Sequence, residues 1–91
     1  MADGQTVYFL MIKRCSNACT LSYYGDNYSR AVDSAQTFSR RLRLATYVLT
    51  KDQVLEIFKS QIEKLKAWCS NPKSEAFCYL ELPSNFKKFL H

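Results

Sequence analysis

The chain has 91 residues, of which 47% are hydrophobic and 14% aromatic, with two glycines and two prolines. This composition excludes a disordered or low-complexity chain, and the length allows one domain, residues 1 to 91, built around a single core. Thirteen basic and eight acidic residues give a formal net charge of +5, which favours an anionic partner such as nucleic acid or an acidic protein surface.

The sequence carries no pattern for export or membrane insertion. The first residues, MADGQT, show no basic segment followed by an apolar run. No stretch reaches the ~18 to 20 apolar residues of a membrane span. We therefore expect a cytoplasmic protein without a membrane partner.

The four cysteines, at positions 15, 19, 69 and 78, are expected to be reduced thiols because no secretion signal is present. Cys15 and Cys19 have a spacing that occurs in zinc sites, but the second pair is too far apart in sequence to complete one. We predict no metal site. Cys69 and Cys78 are expected to be small buried hydrophobes, with Cys15 and Cys19 as a pair in a loop.

The chain begins with two predicted strands joined by a short polar turn. Residues 6 to 13 (TVYFLMIK) are apolar on both strand faces, which predicts a place in the middle of a sheet. Residues 18 to 24 (ACTLSYY) alternate in a way that predicts one buried and one solvated face. This second strand has no proline or inward charge to block pairing, so a homodimer formed at its edge is one expected assembly.

Residues 28 to 44 fit two interpretations. Ala31, Ala35, Phe38 and Leu42 recur at helical spacing, and a helix here would place arginines in its last turn, where positive charge is favourable. From residue 37 onward, alternation equally predicts a strand that continues through ATYVL. We favour a short helix over residues 29 to 36 and a long strand over residues 38 to 49, because no Gly, Pro or Asn stops a helix before TYVL.

Residues 50 to 69 (TKDQVLEIFKSQIEKLKAWC) predict one long amphipathic helix. Thr50 and Gln53 have the spacing of a capping box. From Val54 onward, apolar residues recur at steps of three and four while charged residues line the opposite side. Asn71-Pro72 is expected to end the helix, and a polar loop over residues 71 to 75 follows.

A last strand over residues 77 to 82 (FCYLEL) and a short helix over residues 85 to 90, capped by Ser84, complete the predicted elements. The predicted fold class is therefore α+β. We expect a small, mainly antiparallel sheet of about four strands, covered on one face by one long amphipathic helix, with short helices besides.

No group of residues predicts catalysis. The only histidine is the last residue, His91, where a fraying terminus is a poor support for a catalytic group. Asp52, Glu56 and Glu63 fall on the solvated side of the long helix, where nothing pairs them as acid and base. Two glycines cannot form a phosphate-binding loop. We expect no enzymatic activity, no catalytic residue and no cofactor.

Basic and aromatic residues predict a binding surface instead. The cations in question are Lys13, Arg14, Arg30, Arg40, Arg41 and Arg43, and the strand aromatics are Tyr8, Tyr23, Tyr24, Tyr47 and Tyr79. If residues 38 to 49 form a strand, alternation leaves Arg41 and Arg43 on an exposed basic stripe. Cations contact phosphates and tyrosines stack on bases, so nucleic-acid binding through an arginine and tyrosine sheet face is one hypothesis.

A protein-interaction module is the other hypothesis. The order of a strand pair with an aromatic-rich turn, a stretch with Asp33, Ala35 and Phe38, a capped helix and a closing strand resembles small phage-encoded α+β proteins. These include anti-CRISPR and other host-defence inhibitors. The resemblance implies an inhibitor or adaptor in the host cytoplasm that occludes a site on a protein or nucleoprotein complex. The positive charge departs from the acidic DNA mimics among them.

We favour the protein-partner hypothesis and keep nucleic-acid binding as the alternative. Tyrosine and arginine are the residue types that dominate interface hot spots. The predicted partner-binding residues are Arg40, Arg41, Arg43, Tyr23, Tyr24 and Arg30.

Overall fold

The computed structural model describes residues 6–70 and 77–90. Within these ranges the strands are β1 (Tyr8–Cys15), β2 (Ala18–Gly25), β3 (Thr46–Thr50) and β4 (Cys78–Glu81), and the helices are α1 (Tyr28–Leu42), α2 (Lys51–Ile57) and α3 (Ile62–Ser70). Two short 3-10 turns, Lys59–Gln61 and Phe86–Phe89, complete the elements. The strands form one sheet in the order β3-β1-β2-β4, and every neighbouring pair is antiparallel. The predicted α+β class with a four-stranded antiparallel sheet is confirmed.

Three sequence predictions fall on residues that the structure does not describe. They are the loop over residues 71 to 75, the helix stop at Asn71-Pro72, and the terminal His91. All three lie outside the described residues.

The predicted central strand is confirmed as β1, which pairs with β2 on one side and with β3 on the other. Its side chains are apolar on both faces and are buried on both: Leu10 and Ile12 on one, Phe9 and Met11 on the other. A strand of this kind needs cover above and below, because either face left open would expose a row of large apolar side chains.

Both faces of the sheet are covered by helices. The α2–α3 face carries Phe9, Leu21 and Leu49 and packs against α2, α3 and the turn Phe86–Phe89. The α1 face carries Leu10 and Ile12 and packs against α1. The predicted cover by one long amphipathic helix on one face is not what forms: α2 and α3 cover that face, and α1 buries the second apolar face of β1.

The segment after β2 forms one helix of 15 residues, α1. The Asn27 side chain begins it by accepting a hydrogen bond from the Arg30 N–H at 3.0 Å. Arg43 ends it in the left-handed conformation, with φ 57° and ψ 39°, and its N–H donates to the Ser39 carbonyl at 2.9 Å. The favoured prediction of a short helix over residues 29 to 36 and a strand over residues 38 to 49 is wrong. Arg43 ends the helix in a conformation that glycine or asparagine usually adopts, so the sequence gives no recognisable signal for the end of α1.

The predicted long helix over residues 50 to 69 is divided into α2 and α3. The capping box at its start is confirmed, because the Gln53 N–H donates to the Thr50 hydroxyl and the Thr50 N–H donates to the Gln53 side chain. The α-helical hydrogen bonding stops at Phe58, whose side chain is completely buried in the core, and the turn Lys59–Gln61 follows. This break turns the chain so that Gln61 reaches the outer edge of β4.

The side chain of Gln61 closes part of the free edge of β4. Its amide nitrogen donates to the Glu81 carbonyl and its amide oxygen accepts from the Glu81 N–H, each at 2.8 Å. On the other side of β4, the Leu82 N–H donates to the Asn17 carbonyl at 2.9 Å. The Gln61 amide thus takes the place that a backbone of a further strand would take, and so limits pairing at this edge.

β2 is an interior strand. It pairs with β1 through its whole length and with β4 along residues 18 to 21. The predicted open edge of β2 is therefore occupied by β4 along residues 18 to 21, and a homodimer stays a prediction. The two edge strands of the sheet are β4 and β3.

The end of the described chain is a 3-10 turn rather than the predicted helix over residues 85 to 90. The turn Phe86–Phe89 has no side-chain cap hydrogen bond, so the predicted cap at Ser84 is not formed. Phe86 is buried and its ring meets the Tyr47 ring edge-on at 5.5 Å between centroids. Packing of this ring, more than helix geometry, holds the segment on the sheet.

Candidate binding surfaces

The two ends of α1 lie at opposite ends of the sheet. Its first residue, Tyr28, contacts Tyr8 at the start of β1, with ring centroids 5.0 Å apart. After its last turn the chain returns beside the other end of β1, where the Lys13 N–H donates to the Ala45 carbonyl at 2.9 Å. A helix of this length spans about 22 Å. Residues at the two ends of α1 therefore belong to different surfaces.

The predicted site residues divide between these two surfaces. Tyr23, Tyr24 and Arg30 lie at the end where β2 meets α1. Arg40, Arg41 and Arg43 lie at the far end of α1. Arg30 and Arg40 are ten residues apart on one helix, or about 15 Å along its axis. The six residues predicted to bind a partner therefore do not form one continuous patch.

The first group, which we call the aromatic end, lies at one end of the sheet and consists of Tyr23 on the α2–α3 face and of Tyr8, Tyr28 and Arg30 on the α1 side. Tyr23 is 58% exposed and Tyr28 is 54% exposed. Each exposed ring rests against a second ring: Tyr23 meets Phe9 edge-on at 5.4 Å, and Tyr28 meets Tyr8 at 5.0 Å. These contacts restrict the exposed tyrosines to defined positions while leaving more than half of each side chain in solvent.

Neighbouring tyrosines of β2 point to opposite faces of the sheet. Tyr23 pairs with Phe9 on the α2–α3 face, whereas Tyr24 packs half-buried with the α1-face cluster. A shift in the β1–β2 register pairs Tyr8 with Gly25 and leaves Tyr24 without a cross-strand partner. Gly25 has φ +61° and lies beneath the Tyr23 ring, which is 3.9 Å from the place a Cβ would take. The turn therefore positions Tyr23 outward and draws Tyr24 toward the core.

The second surface, which we call the basic end, gathers cations from two elements. Its residues are Arg14 of β1 and Arg40, Arg41 and Arg43 at the end of α1, with Lys13 of β1 on the opposite face of the same end, where its ammonium lies 5.9 Å from the centre of the Phe86 ring. Arg40 and Arg41 occupy the last helical turn, where positive charge stabilises the negative end of the helix dipole. The exposed side chains of Arg40, Arg41 and Arg43 find no ion-pair or hydrogen-bond partner among residues 6–70 and 77–90.

Arg14 is the one cation of the basic end that a hydrogen bond fixes on the sheet. Its Nε donates to the Thr20 hydroxyl at 3.3 Å, across the β1–β2 pair on the α1 face. Thr20 is fully buried and lies directly opposite Tyr79 in the β2–β4 register. Tyr79 itself is 58% exposed. Arg14 and Tyr79 therefore lie on the same sheet face, and each is next to Thr20.

The buried thiols lie on the α2–α3 face. Cys19 of β2 and Cys78 of β4 are both buried and free. Burial, together with a smaller contribution from the nearby Cys78, raises the pKa of the Cys19 thiol to about 12. Burial of Cys78 confirms the sequence prediction. The prediction of Cys19 as a loop residue is wrong, because the residue is an inward-facing position of β2.

The exposed thiols are Cys15 and Cys69. Cys15 ends β1 and its Sγ donates to the Asn17 side-chain oxygen at 3.1 Å. Cys69 was predicted to be buried, and that is wrong, because α3 packs on the core through Ile62, Leu65 and Trp68 and leaves Cys69 exposed. Partial burial still raises the pKa of the Cys69 thiol, while Lys51 acts in the opposite direction.

Two further observations concern metal sites and membranes. In residues 6–70 and 77–90 there is no group of three or more His, Cys, Asp or Glu side chains arranged to hold a metal ion. Among the described helices, none has the length and apolar character needed to cross a bilayer.

Sequence reasoning missed Tyr28 as a candidate binding residue. Tyr28 is the first residue of α1 because the Asn27 side chain caps the helix there. The favoured interpretation, a short helix that begins at residue 29, did not include this cap. The signal was present as Asn27-Tyr28-Ser29-Arg30, in which asparagine precedes a segment with helical spacing. Read as a helix start, that signal places the tyrosine on the surface beside the β2 turn.

Comparison with known proteins gives no relative. No protein-family model matches the chain, and neither a curated protein nor a solved structure shows significant similarity to it.

Proposed function

We propose that this protein is a non-enzymatic binding protein that docks on a protein or nucleoprotein partner through its aromatic end. The observation that carries the proposal is the pair Tyr23 and Tyr28, each more than half exposed and each held against a second aromatic ring. Arg30 follows Tyr28 by two residues in the first turn of α1 and adds a positive charge at the same end of the sheet.

Exposed aromatic side chains with fixed positions suit a protein interface. Tyrosine and arginine are over-represented among the residues that carry most of the binding free energy. A side chain already restricted by a neighbouring ring loses less conformational entropy when a partner covers it, which leaves more of the contact free energy for affinity. The ring pairs of Tyr23 with Phe9 and Tyr28 with Tyr8 give this restriction at two points, one on each face at the same end of the sheet.

In its narrower form, the proposal is a phage-type inhibitor that occludes a site on a host complex in the cytoplasm. Its support is the order of elements: a hairpin with an aromatic-rich turn, the helix with Asp33, Ala35 and Phe38, a capped helix and a closing strand. The net charge of +5 favours a partner with an acidic or nucleic-acid-bearing surface over mimicry of DNA.

The proposal is tested by capture of partners from a bacterial lysate on tagged protein, with nuclease treatment before elution. The double variant Tyr23→Ala, Tyr28→Ala removes both exposed rings of the aromatic end. Tyr79→Ala is the matched control, because Tyr79 is a strand tyrosine with the same 58% exposure as Tyr23 but lies elsewhere.

A discrete protein that survives nuclease, is retained by Tyr79→Ala and is lost by the double variant supports the proposal. Loss of each contributing ring should weaken binding by about 2 kcal/mol if it is a hot spot. Capture that disappears with nuclease in the unchanged protein, or that both variants lose equally, contradicts it.

A further inference from the structure

Part of the α1 face of the sheet is not covered by α1. The helix packs mainly on β1 and β3 and touches β2 less. The strand beyond β2 is β4, where Cys78 and Leu80 point into the core of the α2–α3 face while Tyr79 and Glu81 point the other way and are exposed. This open strip of sheet therefore presents the ring of Tyr79 to solvent.

Arg14 reaches the same strip from β1. Its hydrogen bond to Thr20 holds the guanidinium over β2, next to the position opposite Tyr79. A register shift between Lys13 and Cys15 leaves Arg14 without a cross-strand partner of its own. The Nε–H is used by Thr20, whereas the remaining N–H groups of the guanidinium have no partner among residues 6–70 and 77–90.

One flank of α1 adds two further arginines. The packing side of the helix is set by Ala31, Ala35 and Phe38. Helical periodicity puts Arg30 and Arg41 on one flank of that side, three turns or about 16 Å apart. β2 and β3 are parallel, because both are antiparallel to β1. A connection between parallel strands of one sheet through a helix is right-handed in nearly all proteins. In such a crossover this flank of α1 faces β2 and β4.

We propose that this strip is a binding site for single-stranded nucleic acid, in which Tyr79 stacks on a base while Arg14 and Arg41 contact phosphates. The site differs from the aromatic end in its residues and in the class of its partner. Charge complementarity favours a polyanion, since the exposed arginines of the site have no carboxylate partner in the described chain. The exposed ring beside them favours unpaired bases, because only an unstacked base presents its face to a side chain.

Glu81 is the residue of the strip that opposes this assignment. It lies two positions beyond Tyr79 on the same face of β4 and is exposed. A carboxylate near a bound phosphate weakens binding, so the proposal predicts that Glu81→Gln strengthens it. The backbone of Glu81 keeps its hydrogen bonds to Gln61 in this variant, because they do not involve the Glu81 side chain.

The test is fluorescence anisotropy of a short labelled oligothymidylate titrated with purified protein at a series of salt concentrations. The two contacting arginines predict a slope of log K against log salt of about −1.4 for a single strand. Tyr79→Ala should weaken binding about fivefold or more, whereas Tyr79→Phe should retain it, because phenylalanine still stacks. Far-ultraviolet circular dichroism of Tyr79→Ala checks that this variant is folded, so that its loss of affinity reports on stacking.

A charge-matched control separates the site from the overall charge. Arg41→Glu and Lys64→Glu change the net charge equally, but Lys64 is an exposed residue of α3 on the other side of the sheet. The proposal predicts a large loss of affinity for the first and a small one for the second. Equal losses, full binding by Tyr79→Ala, no binding by the unchanged protein at low salt, or equal competition by a duplex would overturn it. The assay contains no protein partner, so its outcome is independent of the aromatic end.

Discussion

Replacement of Arg43 by glycine should stabilise this protein. Arg43 ends α1 with φ 57° and ψ 39°, and among residues 6–70 and 77–90 it is the non-glycine residue with a positive φ. Glycine adopts this conformation without a steric penalty, because the cost comes from the contact of Cβ with the backbone. The hydrogen bond from the residue 43 N–H to the Ser39 carbonyl is kept, since it belongs to the backbone.

Two opposing contributions set the size of the effect. The left-handed conformation costs an L-residue about 1 to 2 kcal/mol. Glycine gives back part of this gain, about 0.5 to 1 kcal/mol, because its unfolded chain has more freedom to lose. The net gain in the free energy of unfolding should be about 0.5 to 1 kcal/mol. For a domain of this size, that raises the melting temperature by roughly 3 to 6 °C.

Arg43→Ala is the matched control for this measurement. It removes the same guanidinium, and with it any interaction with the helix dipole, but it keeps the Cβ and therefore the backbone strain. Chemical denaturation of the three proteins should rank Arg43→Gly above the unchanged protein and Arg43→Ala at or slightly below it. An Arg43→Gly protein no more stable than Arg43→Ala would refute the reasoning.

Three further predictions concern the edge of β4 and the thiols. Gln61→Ala removes both hydrogen bonds to Glu81 and should lower the free energy of unfolding, measured by urea denaturation, by about 1 to 2 kcal/mol. In Gln61→Glu the side chain can only accept a hydrogen bond, so the free energy of unfolding should lie between those of the unchanged protein and Gln61→Ala. A thiol reagent should label Cys15 and Cys69 in the folded protein, and the buried thiols Cys19 and Cys78 only after unfolding. Peptide mass spectrometry identifies the labelled residues, and prompt labelling of Cys19 would contradict its burial. Because the Cys19 pKa is about 12 in the folded protein against an ordinary thiol value of 9.0, the unfolded state loses the proton first as pH rises above about 9. Stability should therefore fall there by up to about 1.4 kcal/mol per pH unit, and Cys19→Ala should remove that part of the decline.

Sequence patterns predicted the parts of this fold that are set by local chemistry or by strong periodicity. The apolar run of β1 required a central strand, and the structure places it between two others. The spacing of Thr50 and Gln53 predicted a capping box because both hydrogen bonds are made within four residues. Signals of this kind depend on few neighbours, so tertiary packing does not overrule them.

The failures came where tertiary contacts replaced the usual local marks. α1 is stopped by an arginine in a strained conformation, and its extension past residue 36 is stabilised by Phe38 packing with Leu10 and Ile12. The long helix is broken at Phe58, where burial of a ring in the core and the reach of Gln61 to β4 outweigh helix continuity. Periodicity alone carries no information about either event.

The candidate surfaces were predictable in composition but not in arrangement. The sequence showed that tyrosine and arginine are abundant, and alternation along β2 correctly separated Tyr23 from Tyr24 by face. Of the two interpretations of residues 28 to 44, the one not favoured, a continuous helix, is the one that puts Arg30 and Arg40 on the same element, about 15 Å apart along its axis. Assigning Arg41 to a strand put it on the sheet, whereas α1 holds it above the sheet. Which residues meet depends on this one choice between helix and strand.

The central claim is that the aromatic end binds a protein partner, and comparison of two tyrosine variants tests it most directly. The measurement is the amount of the captured protein retained after nuclease treatment by Tyr23→Ala and by Tyr79→Ala, each relative to the unchanged protein. We predict a strong loss for Tyr23→Ala and near-complete retention for Tyr79→Ala, although the two tyrosines are equally exposed. Equal retention by the two variants, or a greater loss for Tyr79→Ala, would contradict the claim.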